Sequence, residues 1–217
     1  MQKWFTVVRE NTEHILQAIK EQPFITELIN GRLPNDVFQF YINQDSLYLE
    51  NYKKVLVAVG LKCRHSDDMQ FFLNSATGII EVENHLHQFF LKDVQQNKEP
   101  SPSCELYVSY LTKMSTFYSL EEGLAAILPC FTIYKEIGDY ILANQNKTTL
   151  NPFQNWINMY GGEDFAISVE QAINIVNKYA SRATAETIER MNLAFEKSSK
   201  LEFMFWDSAY NKEQWKI

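Results

Sequence analysis

The chain has 217 residues, 46% of them apolar, with only 7 Gly and 6 Pro, where ordinary usage would supply about 15 and 11. That composition excludes collagenous, disordered and disulfide-scaffold classes, and it supplies too few turn residues for a sandwich or barrel, so helix is expected. Twenty Lys and Arg against 27 Asp and Glu give a net charge of −7, without the basic stripe that nucleic acid binding needs.

Cysteine usage and hydropathy narrow the setting. Cys63, Cys104 and Cys130 are odd in number and widely spaced, which fits a reducing cytosol better than a disulfide framework. The opening Met1-Gln2-Lys3-Trp4 has no apolar core of the signal-peptide kind. No apolar run approaches the roughly 20 residues of a membrane helix. The expectation is a soluble, cytoplasmic, all-α protein with no nucleic acid or membrane partner, folded as one domain over 1–217. The aromatic fraction, 14% with 11 Tyr and 15 Phe, suits a core, a ligand pocket, or both.

In chain order, helical spacing runs from about Lys3 to Glu21 and stops before Pro23. A short turn at Phe24–Ile29 ends at Asn30-Gly31, and Asn35–Leu61 is a long helix opened by Pro34. The next starts at Ser66, with Asp67 and Asp68 at the positive helix end, and continues to about Asp93. Gln95–Ser103 is a polar loop. A helix follows over Cys104–Tyr118; Ser119 and Glu122 then form a capping box for one running towards Ala143. Pro152 opens a short helix through Tyr160, Gly161-Gly162 breaks it, and Asp164–Tyr179 and Thr184–Tyr210 complete the set. The pattern describes a compact single-domain bundle of seven to eight helices.

Three polar residues interrupt apolar stripes. Along Asn35–Leu61 the stripe reads Phe38, Tyr41, Ile42, Asp45, Tyr48, Leu49, Tyr52, in steps of one helix face. Asp45 fits either a carboxylate bonded to a buried tyrosine or one aimed into a pocket. A second stripe carries Cys130 directly after Pro129, a residue that kinks helices. Cys130 fits a core thiol as well as a nucleophile, and no histidine stands near it in sequence. The third stripe places Glu202 among Phe195, Phe205 and Trp206. An apolar setting raises a Glu pKa towards neutrality, although a Lys on a neighbouring helix would give the residue a purely structural role.

His85 and His87, with Glu81 and Glu83, resemble a metal box, but the two i,i+4 pairs point to opposite sides of a helix. A di-iron bundle needs further ligands of the Glu-x-x-His kind, and no histidine follows His87. No metal and no cofactor is therefore expected.

Five segments resemble the TenA / thiaminase II family: FQFYINQDSLYLENY (Phe38–Tyr52), SPSCELYVSYL (Ser101–Leu111), GLAAILPCFTIYKEIG (Gly123–Gly138), WINMY (Trp156–Tyr160) and EFMFWDSAY (Glu202–Tyr210). They occur in family order, and the Leu-Pro-Cys-x-x-x-Tyr block with the terminal Glu-x-x-Phe-Trp-Asp-x-Ala-Tyr is the most specific part. The resemblance implies a heme-oxygenase-like fold, a homotetramer, and hydrolysis of thiamin or of the aminomethyl aminopyrimidine left by its degradation, yielding hydroxymethyl aminopyrimidine for salvage. Carried over by motif, Cys130 would add to the pyrimidine ring, Glu202 would protonate a ring nitrogen, and Asp45 would hold the amidine edge. Tyr107 would stack on the ring, Tyr48 and Tyr160 would surround the nucleophile, and Tyr134 lies one turn after it. Having Cys130 places the chain in the cysteine-containing branch. Two other readings stay open from the residues alone: a heme-oxygenase-like di-iron oxygenase, and a non-catalytic pyrimidine-binding or regulatory protein.

Overall fold

The computed structural model describes residues 2–82, 88–91, 97–145 and 150–217. These form α1 (Trp4–Asn11), α2 (Glu13–Lys20), α3 (Pro23–Ile29), α4 (Asn35–Lys62), α5 (Ser66–Val82), α6 (Gln88–Leu91), α7 (Pro102–Phe117), α8 (Leu120–Asn144), α9 (Gln154–Tyr160), α10 (Glu163–Ala180) and α11 (Ala185–Asn211). No strand occurs among the described residues. The all-α reading is met, with a finer subdivision than seven or eight long helices.

One subdivision has a local cause. The stretch expected as one helix from Lys3 to Glu21 breaks at Thr12, where φ is −104° and ψ is 8°. The Thr12 hydroxyl donates to the Val8 carbonyl at 2.9 Å, a side-chain bond of the kind that competes with the helical ladder. Of the helix expected over Ser66–Asp93, α5 and α6 are described; the intervening residues, with His85 and His87, lie outside the described set.

Helix α7 begins at Pro102, inside the expected Gln95–Ser103 loop, whereas α8 and α11 begin where their caps were expected. Ser101 caps α7 by accepting from the Cys104 amide at 3.3 Å. At α8, Ser119 Oγ accepts from the Glu122 amide while Glu122 Oε2 accepts from the Ser119 amide, both at 3.2 Å. Two orphan donors are satisfied reciprocally, as a capping box requires. Thr184 caps α11 in the same manner through the Thr187 amide.

Helices α4, α7, α8 and α11 pack about one core, with α5 against α4 and both α9 and α10 against α8. At its centre the Trp206 ring stacks on Tyr41, with centroids 5.6 Å apart, and meets Trp156 edge-on at 5.8 Å. Phe24 closes this layer against Trp206 from α3. These side chains are fully buried, so much of the aromatic excess is core.

The crossing of α8 and α9 positions one wall of the site. A Cβ added to Gly138 would lie 2.6 Å from the Tyr160 carbonyl carbon and 2.8 Å from the Gly161 nitrogen. Both are backbone atoms, so nothing nearby is free to move aside. Glycine costs a helix interior about 1 kcal/mol of propensity; here it lets α9 approach closely enough to bring Tyr160 beside α8. Gly138→Ala is expected to lower stability by about 1–3 kcal/mol through overpacking. Denaturant titration measures this, and an unchanged midpoint would show that the crossing is looser than described.

Candidate active site

One face of α4 carries Asp45, Tyr48 and Tyr52, at helical spacings of three and four residues. They meet Cys130 and Tyr134 from α8 and Tyr160 from α9, and together line a cavity of about 840 Å³. Asp45, Tyr48, Tyr52, Tyr134 and Tyr160 are all buried, so this is the closed end of the space. Cys130 is partly exposed and lines the same cavity. The lining continues along α5 and α10, where Asp67, Gln70, Asn74, Glu163 and Asp164 are exposed.

The local sequence explains how the thiol is presented. Pro129 lies inside the continuous helix α8 and has no N–H to give to the preceding turn. Beside this weakened turn, the Tyr52 hydroxyl donates to the Ile127 carbonyl at 2.8 Å, tying α4 to α8 just ahead of Cys130. Tyr52 also stacks on Tyr48, with centroids 5.3 Å apart and planes 17° from parallel. Tyr134 is fixed by the Tyr41 hydroxyl, which donates to its own at 3.2 Å.

Glu202 stands behind this wall on α11 and is only 1% exposed. It accepts a hydrogen bond from the Tyr107 hydroxyl at 2.7 Å. Burial raises its pKa to about 8; the Tyr107 bond opposes that rise, and the nearby Asp45 adds to it. Burial also pushes the Cys130 thiol well above its ordinary value, and Glu202 pushes it further. The hydroxyls of Tyr48 and Tyr52 act in the opposite direction. At neutral pH the resting site therefore holds a thiol beside a largely protonated carboxylic acid.

Of the residues singled out from sequence, Asp45, Tyr48, Cys130, Tyr134 and Tyr160 share the cavity wall. Tyr107, like Glu202, stands behind that wall. It does not line the cavity; its ring packs 5.0 Å from that of Tyr48 and its hydroxyl is committed to Glu202. Tyr52 was not singled out, although it sits one turn after Tyr48 on the same stripe. Its proximity to Cys130 depends on how α4 lies against α8, which a single-helix pattern does not encode. Among the described residues no group of three or more His, Cys, Asp or Glu is gathered to hold a metal ion.

The model of the TENA/THI-4/PQQC family matches residues 9–212. The chain belongs to this family. It is 33% identical over 199 residues to an aminopyrimidine aminohydrolase of Bacillus subtilis, an alignment covering 89% of this chain and 84% of the relative. The solved structure of a TenA homologue from Pyrococcus furiosus superposes with a TM-score of 0.89 at 22% identity, covering 95% of this chain and 99% of that one. A domain with a heme oxygenase-like fold from Shewanella denitrificans superposes at 0.77 and 17% identity, over 96% of this chain and 92% of that one. At those identities the two structures bear on the fold alone, which is heme-oxygenase-like.

The buried acid gives stability a defined pH dependence. The folded state holds the Glu202 proton up to about pH 8, whereas the ordinary value is 4.5. Between those limits the folded state binds the extra proton, so stability falls as pH rises, by at most about 1.4 kcal/mol per unit. Urea titrations from pH 5 to 8 are expected to show this slope, and Glu202→Gln to flatten it. A slope that persists unchanged in the variant would assign it to other groups.

Proposed function

We propose that the chain is a hydrolase of the aminopyrimidine aminohydrolase (thiaminase II) type, acting on thiamin or on aminomethyl aminopyrimidine and releasing hydroxymethyl aminopyrimidine for thiamin salvage. The observation that carries this reading is the meeting of Cys130 and Asp45 on one buried aromatic wall, with Glu202 poised near neutrality behind it, in a chain matched to the family along residues 9–212.

In this reading Asp45 holds the amidine edge formed by a ring nitrogen and the exocyclic amine of the pyrimidine, accepting from the amine. Tyr134 and Tyr160 form the sides of the slot. Glu202 gives its proton to the ring, which becomes electron-poor enough for the Cys130 sulfur to add, and the thiol proton replaces the one Glu202 gave up. The carbon–nitrogen bond at the adjacent methylene then breaks, and the nitrogen leaves with the bonding pair, as the neutral thiazole from thiamin or as ammonia from the ammonium form of the aminomethyl compound. Water adds to the methylene and releases one proton to solvent; the sulfur then leaves, regaining through Glu202 the proton that the ring nitrogen gives up, and the aromatic ring is restored. A carboxyl with a pKa of about 8 suits this work because it gives and takes a proton at neutral pH with little bias. Tyr107 acts through Glu202 as a positioning residue, holding the carboxyl and limiting the rise of its pKa.

The reading extends to the cysteine-containing branch, to a single domain over 1–217, and to a cytoplasmic homotetramer. Free Cys63, Cys104 and Cys130 support a reducing compartment; the assembly rests on family resemblance. No helix among the described residues is long and apolar enough to cross a membrane.

Incubation with thiamin and with aminomethyl aminopyrimidine, followed by chromatography, tests the proposal. Hydroxymethyl aminopyrimidine is expected from at least one of them. Cys130→Ala is expected to abolish its formation at an unchanged melting temperature, and Glu202→Gln to slow it by about 10²–10⁴. Absence of product from both compounds would end the hydrolase reading.

A further inference from the structure

The cavity is several times larger than one six-membered ring with two small substituents, and its outer part has a consistent chemistry. On α5, Asp67, Gln70 and Asn74 face it at helical spacing; on α10, Asp164, Ser168 and Gln171 do the same from the opposite side. The wall also includes Glu163. Among the described residues, the charged side chains lining the cavity are Asp45, Asp67, Glu163 and Asp164, and no Lys or Arg joins them.

Two helix ends sharpen the point. The N-termini of α5, at Ser66, and of α10, at Glu163, open on this mouth. Each end presents about half a positive charge and would by itself favour an anion. Asp67 stands in the first turn of α5, and Glu163 and Asp164 in the first turn of α10. Three full negative charges thus outweigh two half-charges. At the closed end the buried Tyr48 hydroxyl lines the same cavity beside Cys130, so the acidic mouth and the closed end belong to one continuous space.

Building on the hydrolase reading, we infer that the outer half of the cavity is a leaving-group subsite that acts as a charge filter, admitting aminopyrimidines whose leaving group is cationic or neutral and disfavouring those that carry a phosphate. A phosphate brings about −1.5 to −2 charges to the mouth at pH 7, where it meets Asp67, Glu163 and Asp164. The mouth residues are solvent-exposed, so the discrimination is moderate and screened by salt. The closed end remains the site of bond cleavage, and the filter acts on which substrates reach it.

Thiamin and thiamin monophosphate form the matched pair for the test, since they share the pyrimidine and the cation and differ by the phosphate. Dissociation constants from tryptophan quenching and kcat/KM from product formation are measured in the wild type and in the double variant Asp67→Asn/Asp164→Asn. The phosphate is expected to weaken binding about fivefold or more at low ionic strength. The gap should shrink in about 0.5 M salt and in the double variant. Circular dichroism checks that the variant is folded, and Asp164→Lys alone should narrow the gap further than Asp164→Asn. Equal dissociation constants for the two ligands, or a gap that ignores both salt and substitution, would overturn the filter. The two readings fail separately: discriminating binding without product from either ligand removes the hydrolase reading alone.

Discussion

The constraint on which the rest depends is the burial of the Glu202 carboxyl against the Tyr107 hydroxyl. At 1% exposure, with Asp45 at 2% in the same region, an ionised Glu202 would have little solvent to stabilise it. Glu202 answers by keeping its proton to about pH 8. A carboxyl that stays neutral yet ionises readily exists only where the surrounding helices exclude water without removing every partner. The single hydrogen bond from Tyr107 sets that balance, because it favours the charged form while burial opposes it. The same burial holds Cys130 as a thiol, so the proposed nucleophile and the proposed acid are tuned by one environment.

Such an environment needs rigid walls, and the aromatic side chains supply them. Trp206, Trp156, Tyr41 and Phe24 interlock behind the site as core. Tyr134 belongs to both layers: it packs on Trp206 at 5.3 Å and lines the cavity. Rings carry few rotatable bonds, so a wall built of them loses little side-chain entropy on ordering and keeps its shape. Gly138 contributes by absence, letting the α9 backbone close on α8 so that Tyr160 completes the slot.

Much of this was legible along single helices. Asp45, Cys130 and Glu202 stood out because each breaks an apolar stripe of period 3.6, and a buried misfit is the strongest local signal a sequence carries. The capping box at Ser119 and the start after Pro34 were equally local. The break at Thr12 was not legible, since one threonine bonding back to Val8 leaves the apolar period intact. Nor was the place of Tyr107, whose distance from the cavity is decided by how α7 meets α11 and α4. The outer cavity was hidden for a further reason. The residues Gln70, Asn74, Ser168 and Gln171 look like solvated helix faces, and only the gap between α5 and α10 makes them a lining.

The closed end of the cavity gathers its polar groups in a chemically specific way. Tyr48 and Asp45 place a hydroxyl and a carboxyl group on the cavity wall, and Glu202 stands behind them holding its proton to about pH 8. A flat molecule with an amine and a ring nitrogen on one edge supplies donors to Asp45, a proton acceptor to Glu202 and π-faces to the tyrosines. Filling the slot would expel water and strengthen each of these contacts in the same step, because the low dielectric that makes unpaired polar groups costly also makes paired ones strong. The burial that makes Glu202 and Cys130 costly to ionise is thus the same burial that the proposed chemistry would use, so the burden on stability and the proposed catalytic roles fall on the same residues.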